Sequence, residues 1–256
     1  MTTHDLVLKD ERRRTAGSTA GEAAQHAIGT SLALHILPGV AMLAFVALVA
    51  PLLRSRGLPP IFAGKLAILC VLVPLELGYL LYLGWKRNGR LSLRGVVRYR
   101  ESIPWWQYLV VAPLMIVWFL AAMSWWRQIA IDWLASLPQW LIEPVPLDPS
   151  GTYGQGVRLA LLVVSLLLSG LVASVVEELY FRGYLLPRID HLGWRAPLLS
   201  AALFALYHLW ALPATPGRAI GFLPLALFAW RRRNVSLAIL VHCLLNLVAV
   251  IASGGG

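Results

Sequence analysis

The chain has 256 residues, of which 59% are hydrophobic and 13% charged, and its mean hydropathy of +0.70 leaves too little polar surface for a soluble globule of this length. It reads as a polytopic membrane protein. The formal net charge of +10 would point to nucleic acid in a soluble domain, but the basic residues here sit between apolar runs, where they report orientation, and nucleic acid is excluded as a partner.

The first thirty residues are a charged tail containing Gly, Ser and Thr, expected to be mobile and cytoplasmic. Apolar runs that reach or approach the ~20 residues needed to cross a bilayer follow at 31–53, 67–85, 107–126, 159–186, 195–212, 219–230 and 235–252. They predict about seven spans, within a range of six to eight. The first run is too long for a signal-peptide core. The sixth is the weakest, because a stretch this short rises only ~18 Å and it follows Pro213, Pro216 and Gly217. Between the third and fourth runs, Ile129, Trp133, Leu134, Leu137, Trp140 and Leu141 recur at roughly helical spacing before a Pro-rich stretch at 144–149. That pattern predicts an interfacial amphipathic helix on the exoplasmic surface. The expected fold is therefore an all-α, polytopic transmembrane helix bundle. Its parts are a tail at 1–30, a three-helix region at 31–126, an exoplasmic loop with the amphipathic helix at 127–157, a second helical region at 158–252 and a short tail at 253–256.

Orientation follows from the loops. With the N-terminus inside, the cytoplasmic segments carry fifteen Lys and Arg, while the other side carries six: Arg54, Arg56, Lys65, Arg127, Arg158 and Arg218. The positive-inside rule then puts the N-terminus in the cytoplasm. Trp85, Trp105, Trp106, Trp125, Trp126, Trp194, Trp210 and Trp230 fall at run ends, as an interfacial belt requires, and Trp118 alone falls mid-span. The basic stretch at 86–100 is expected to contact anionic headgroups. Richness in Ala, Leu and Arg points to a prokaryotic source and so to a plasma membrane. Cys70 and Cys243 lie inside apolar runs and read as packing residues.

Ionisable groups beside bilayer hydrocarbon are costly and mark function by default. Three separated runs carry such groups: Glu177, Glu178 and Arg182 on the fourth, His208 with Phe204 on the fifth, and His242 with Asn246 on the seventh. A spacing of four puts each pair, Glu178 with Arg182, Phe204 with His208 and His242 with Asn246, on one helical face. At the helical rise Glu177 lies ~15 Å, His208 ~20 Å, and His242 and Asn246 ~10 and ~18 Å from the cytoplasmic ends of their runs. All four share the inner half of the bilayer, so the site is expected to open to the cytoplasm. Glu76 is a lone acid between Pro74 and Gly78 in the second run, expected to be neutral and hydrogen-bonded, with a substrate-access role as the alternative. His35 and Pro38 read as a kink in the first run.

The ordered set Glu-Glu-x-x-x-Arg at 177–182, Phe-x-x-x-His at 204–208 and His-x-x-x-Asn at 242–246 resembles the three signature motifs of the CPBP family of intramembrane proteases. This family, also called the CAAX-protease and bacteriocin-processing or Abi family, includes the type II CAAX prenyl endopeptidase. The resemblance covers roughly residues 155–252 and implies that 158–252 is the catalytic bundle. It implies that Glu177 and His208 activate a water, that His242 and Asn246 stabilise the oxyanion, and that Glu178, Arg182 and Phe204 support them. Shielding from water strengthens a carboxylate as a base, and an Asn amide suits an oxyanion hole. Glu177, His208 and His242 are alternative zinc ligands, since three protein ligands and a water make a catalytic zinc site. The preferred reading uses no cofactor. The implied substrate is a membrane-embedded or lipidated peptide or protein segment, cut near its C-terminus. Two other readings stand beside it: a non-catalytic peptide-binding or bacteriocin-immunity member of the same family, and a proton-coupled transporter, against which the lack of an internal repeat counts.

Overall fold

The computed structural model describes residues 24–138, 140 and 153–254. Most of the expected tail and the Pro-rich stretch at 144–149 lie outside these residues. Among those described, six helices are long and apolar enough to cross a membrane. These are α1 (Ile28–Ser55), α2 (Phe62–Asn88), α3 (Trp105–Ser136), α4 (Gln155–Leu192), α6 (Thr215–Arg232, led in by the 3-10 turn Leu209–Ala214) and α7 (Ser236–Ala252). A seventh, α5 (Arg195–Tyr207), has 13 residues and rises only ~20 Å. The protein is thus an all-α, multi-pass membrane bundle. Helices are the form such a chain must take, because hydrocarbon offers backbone groups no other partner.

Two boundaries differ from those expected. The short helix is the fifth run, not the sixth: α5 stops at Tyr207, and His208 has left helical geometry at φ −79°, ψ 62°. Conversely Pro216 and Arg218, which break the hydropathy pattern, belong to α6. Pro in a first turn starts a helix rather than breaking it, since its missing N–H would be unpaired there anyway. The expected amphipathic helix also forms no separate element over 127–136. It continues α3 without interruption as far as Ser136, because no Gly or Pro between Pro113 and Pro138 stops it.

Several helices leave ideal geometry close to the polar residues. α2 is π-helical over Ile68–Gly78, and α4 over Leu166–Ala173 and Phe181–Leu185. π-turns insert a residue and rotate the helix face, and they concentrate at functional sites. In α4 they flank Ser174–Tyr180, and this helical turn buries both Glu177 and Glu178.

The N-terminal end of the bundle is closed. The segment at 93–101 folds back on it, with Val96, Val97 and Tyr99 buried, and Arg98 N–H donates to Gly183 O at 2.7 Å. Arg233 donates to Asp190 Oδ2 at 2.9 Å and to the Tyr99 hydroxyl at 2.6 Å, while Trp230 Nε1 donates to Asp190 Oδ1. Burial, with the Asp190 carboxylate beside it, holds the Tyr99 hydroxyl above the ordinary phenol range. Part of the basic stretch expected at headgroups is therefore a plug.

Two glycines permit close helix approaches that position polar side chains. A Cβ on Gly39 of α1 would run into the Tyr207 carbonyl, and one on Gly170 of α4 would meet Leu247 of α7. A clash with backbone is not relieved by a rotamer change. Gly39→Ala is therefore expected to cost about 1–3 kcal/mol, as overpacking does, and to displace the His208 turn, whereas Gly64→Ala, where no atom lies within 4 Å, should be neutral. Thermal unfolding of the two purified variants compares them directly, and equal midpoints would remove the close approach as a constraint.

Candidate active site

Glu177, His208, His242 and Asn246, from α4, the end of α5 and α7, all border one cavity of about 450 Å³. The three motifs that lie apart in sequence are brought to one wall. Both histidines are held through Nδ1. His208 lies at the helix break with Nδ1 2.9 Å from its own Phe204 carbonyl. His242 Nδ1 lies 2.8 Å from Glu178 Oε1 and its Nε2 3.7 Å from Glu177 Oε2. Both Nδ1 atoms face an acceptor and so carry the proton, which leaves each Nε2 as the free acceptor. At 3.7 Å, His242 and Glu177 are too far apart for a direct hydrogen bond, but one water could bridge them.

Glu178 and Arg182 form the expected pair, with Arg182 Nη1 to Glu178 Oε1 at 3.0 Å and both side chains fully buried. Glu178 thus serves two partners, the guanidinium along α4 and the imidazole on α7. Phe204 packs, as its position suggests, and its ring has three neighbours that matter. The Arg182 guanidinium lies over its face at 3.9 Å, and His208 and His242 meet it edge-on at 5.0 and 5.8 Å. An aromatic face suits a cation on one side, and its bulk fixes both imidazoles on the other.

Asn246 Nδ2 donates to Ser174 Oγ at 2.9 Å and to Ser169 O at 3.2 Å. Its amide is pinned to α4 through residues beside Gly170, the glycine that lets α7 come close.

The cavity does not lead to the end expected. From Glu177 and His242 its lining runs past Ile68 to Ile61, Gly64 and Lys65 at the start of α2, and past Asn246 to Ala249 and Val250 near the end of α7. That is the end of the bundle away from the plug. The depth count placed the residues in one layer, but which way that layer opens depends on which end the chain closes.

Two residues that count along the chain as loop charges also border the cavity. Lys65 Nζ donates to Ser169 Oγ at 3.1 Å, and Arg218, in the first turn of α6, faces the cavity with Glu177. A signal for Arg218 existed: a basic residue at a helix N-terminus sits at the unfavourable end of the dipole and invites a reason. Trp210, counted in the aromatic belt, also lines the cavity, with its ring 5.1 Å from that of His208. Glu76 is fully buried but lies off the cavity, near the Tyr207 hydroxyl and with neither carboxyl oxygen in hydrogen-bond geometry among the described residues. Trp118, the mid-span exception, donates to Ile220 O at 2.9 Å between α3 and α6. His35 is buried against Phe181, with Nδ1 2.7 Å from Ser31 O.

Among the described residues no group of three or more His, Cys, Asp or Glu is arranged to hold a metal ion.

Neither a curated protein nor a solved structure matches the chain. Residues 159–248 match the family model described as type II CAAX prenyl endopeptidase Rce1-like, a segment that contains all three motifs and runs from α4 to α7. Over this segment, which is less than half of the chain, the protein is similar to the Rce1-like type II CAAX prenyl endopeptidases, and the match supports a place in the CAAX-protease family.

Proposed function

We propose that the protein is an intramembrane endopeptidase that hydrolyses a peptide bond in a membrane-associated substrate, using water activated by Glu177. The observation that carries this reading is the convergence of Glu177, His208, His242 and Asn246 from three separated helices on one cavity. Glu177 takes a proton from water as the oxygen attacks the peptide carbonyl carbon. His208 Nε2 shares that proton and returns it to the amide nitrogen as the C–N bond breaks, leaving a new carboxylic acid, which keeps the second water proton, and a new amine. The developing oxyanion is met by the Asn246 amide, once it turns from Ser174, and by His242 when protonated at Nε2. No step requires a metal.

The asymmetry of Lys and Arg supports a cytoplasmic N-terminus, and the richness in Ala, Leu and Arg supports a prokaryotic plasma membrane. On that orientation the cavity faces the exoplasmic side, and the substrate segment reaches it from that leaflet. The test compares membrane-protein termini by mass spectrometry in cells carrying wild type, Glu177→Gln at matched expression, or no protein. New termini on the exoplasmic side, present only with wild type, are expected. Identical termini in all three would leave a peptide-binding member of the family as the better reading.

A further inference from the structure

Arg218 is not used by the chemistry above, yet it borders the same cavity as Glu177 and His208. Its Nη1 is buried and has no hydrogen-bond partner among the described residues. It also enters none of the ion pairs found among them, which join Arg182 to Glu178, Arg233 to Asp190, and His242 to Glu177 and Glu178. A guanidinium at membrane depth without a carboxylate is costly, so such a group ordinarily pairs, snorkels or binds a ligand. Snorkelling does not account for it, because Nη1 is buried and the half-buried side chain borders the cavity. Pairing with Glu177 does not either: the two interact across the cavity but no contact within ion-pair distance joins them. The helix dipole opposes a cation in the first turn of α6 and favours an anion there. Further out along the same wall stands a second cation, Lys65 on Ser169.

We propose that Arg218, together with Lys65 on the same cavity, is a carboxylate-binding subsite that seats an anionic group of the substrate, a chain terminus or an acidic side chain, a short distance from the bond presented to Glu177. The proposal rests on the reading of this cavity as the peptide site. A carboxylate fits the guanidinium fork in bidentate fashion. A cavity of about 450 Å³ holds only a few residues, so the subsite fixes where along a peptide the cut falls. Arg218 is then a positioning and specificity residue, whereas Glu177 acts on the reacting atoms.

The test measures binding rather than turnover. The full chain carrying Glu177→Gln, in lipid nanodiscs, is titrated with three peptides: acetyl-Leu-Val-Leu-Leu as the free acid, the same peptide as its C-terminal amide, and an amide with Asp in the third position. The free acid is expected to bind about tenfold tighter than the plain amide, the scale of one charge-assisted hydrogen-bonded contact. Arg218→Gln should reduce that ratio to about one, and Arg218→Lys should keep part of it by charge alone. The Asp-bearing amide identifies the source: affinity like the acid assigns a side-chain carboxylate, and affinity like the plain amide assigns the terminus. Equal binding of all three peptides, no binding of any, or a preference that survives Arg218→Gln overturns the subsite. The acid-to-amide ratio in the parent form and the Lys variant decide the matter even if Arg218→Gln fails to fold. An acid preference in a protein that makes no new termini would overturn the protease reading and leave the subsite. New termini without an acid preference would do the reverse.

Discussion

Replacing Glu177 by Gln is expected to lower kcat/KM on the mapped substrate by roughly 10²–10⁴-fold, the range lost with a general base, while the thermal unfolding midpoint stays close to wild type. Gln keeps the volume and one carbonyl oxygen, and Glu177 has no salt bridge shorter than its 3.7 Å approach to His242, so little folding energy depends on its charge. Glu178→Gln makes the informative contrast. Glu178 does not line the cavity, but it anchors both Arg182 and His242, so its loss should lower stability and activity together. If Glu177→Gln were to unfold the protein while Glu178→Gln only slowed the reaction, the two adjacent carboxylates would have been assigned the wrong way round. A Glu177→Gln enzyme of normal rate would remove the glutamate-activated water altogether.

Arg182→Met is expected to destabilise the bundle by about 3–5 kcal/mol, the cost of leaving one partner of a buried ion pair alone. Arg182 and Glu178 are both fully buried and their contact is 3.0 Å. Breaking the pair leaves the buried Glu178 carboxylate with His242 as its one remaining partner among the described residues and removes the cation from the face of Phe204. The double variant Glu178→Gln with Arg182→Met removes both charges and should recover much of that loss, because an apolar pair of similar volume is often as stable as the ion pair it replaces. Denaturant unfolding of the two single variants and the double variant closes the cycle. Additive losses would show that the two charges act separately and that the pair does not organise the site. Recovered stability without recovered activity is the outcome expected here, since His242 would still lack the carboxylate that holds its Nδ1.

How far the sequence carried the structure can be judged from particular residues. Apolar runs identified the helices because burial in hydrocarbon is proportional to apolar area and requires internally bonded backbone. They misjudged α5 and α6 because a hydropathy window scores side chains and not the backbone, and the helix break at His208 and the start at Thr215 are backbone events. The i,i+4 pairing of Glu178 with Arg182 was legible because it is local to one helix. The pairing of His242 with Glu178 was not, since it joins residues 64 apart in sequence. The motif order 177–182, 204–208 and 242–246 told which residues to bring together and matched a family over 159–248.

What the sequence determined by itself is what depends on local chemistry: a multi-pass helical membrane protein, the order of its three motifs, and the four motif residues that border the cavity. What only the tertiary structure decided is what depends on packing between distant segments. The plug at 93–101 closes one end of the bundle and so sets the direction in which the cavity runs. Gly39 and Gly170, by lacking a Cβ, let α1 and α7 approach closely enough to seat the turn before His208 and the Asn246 amide. Lys65 and Arg218, loop charges when counted along the chain, become cavity cations once α2 and α6 turn them inward. The physical reason is the same in each case. Hydropathy and helical phase are properties of a few neighbouring residues, whereas the direction, closure and charge of a cavity are set by contacts between helices that a linear reading cannot order.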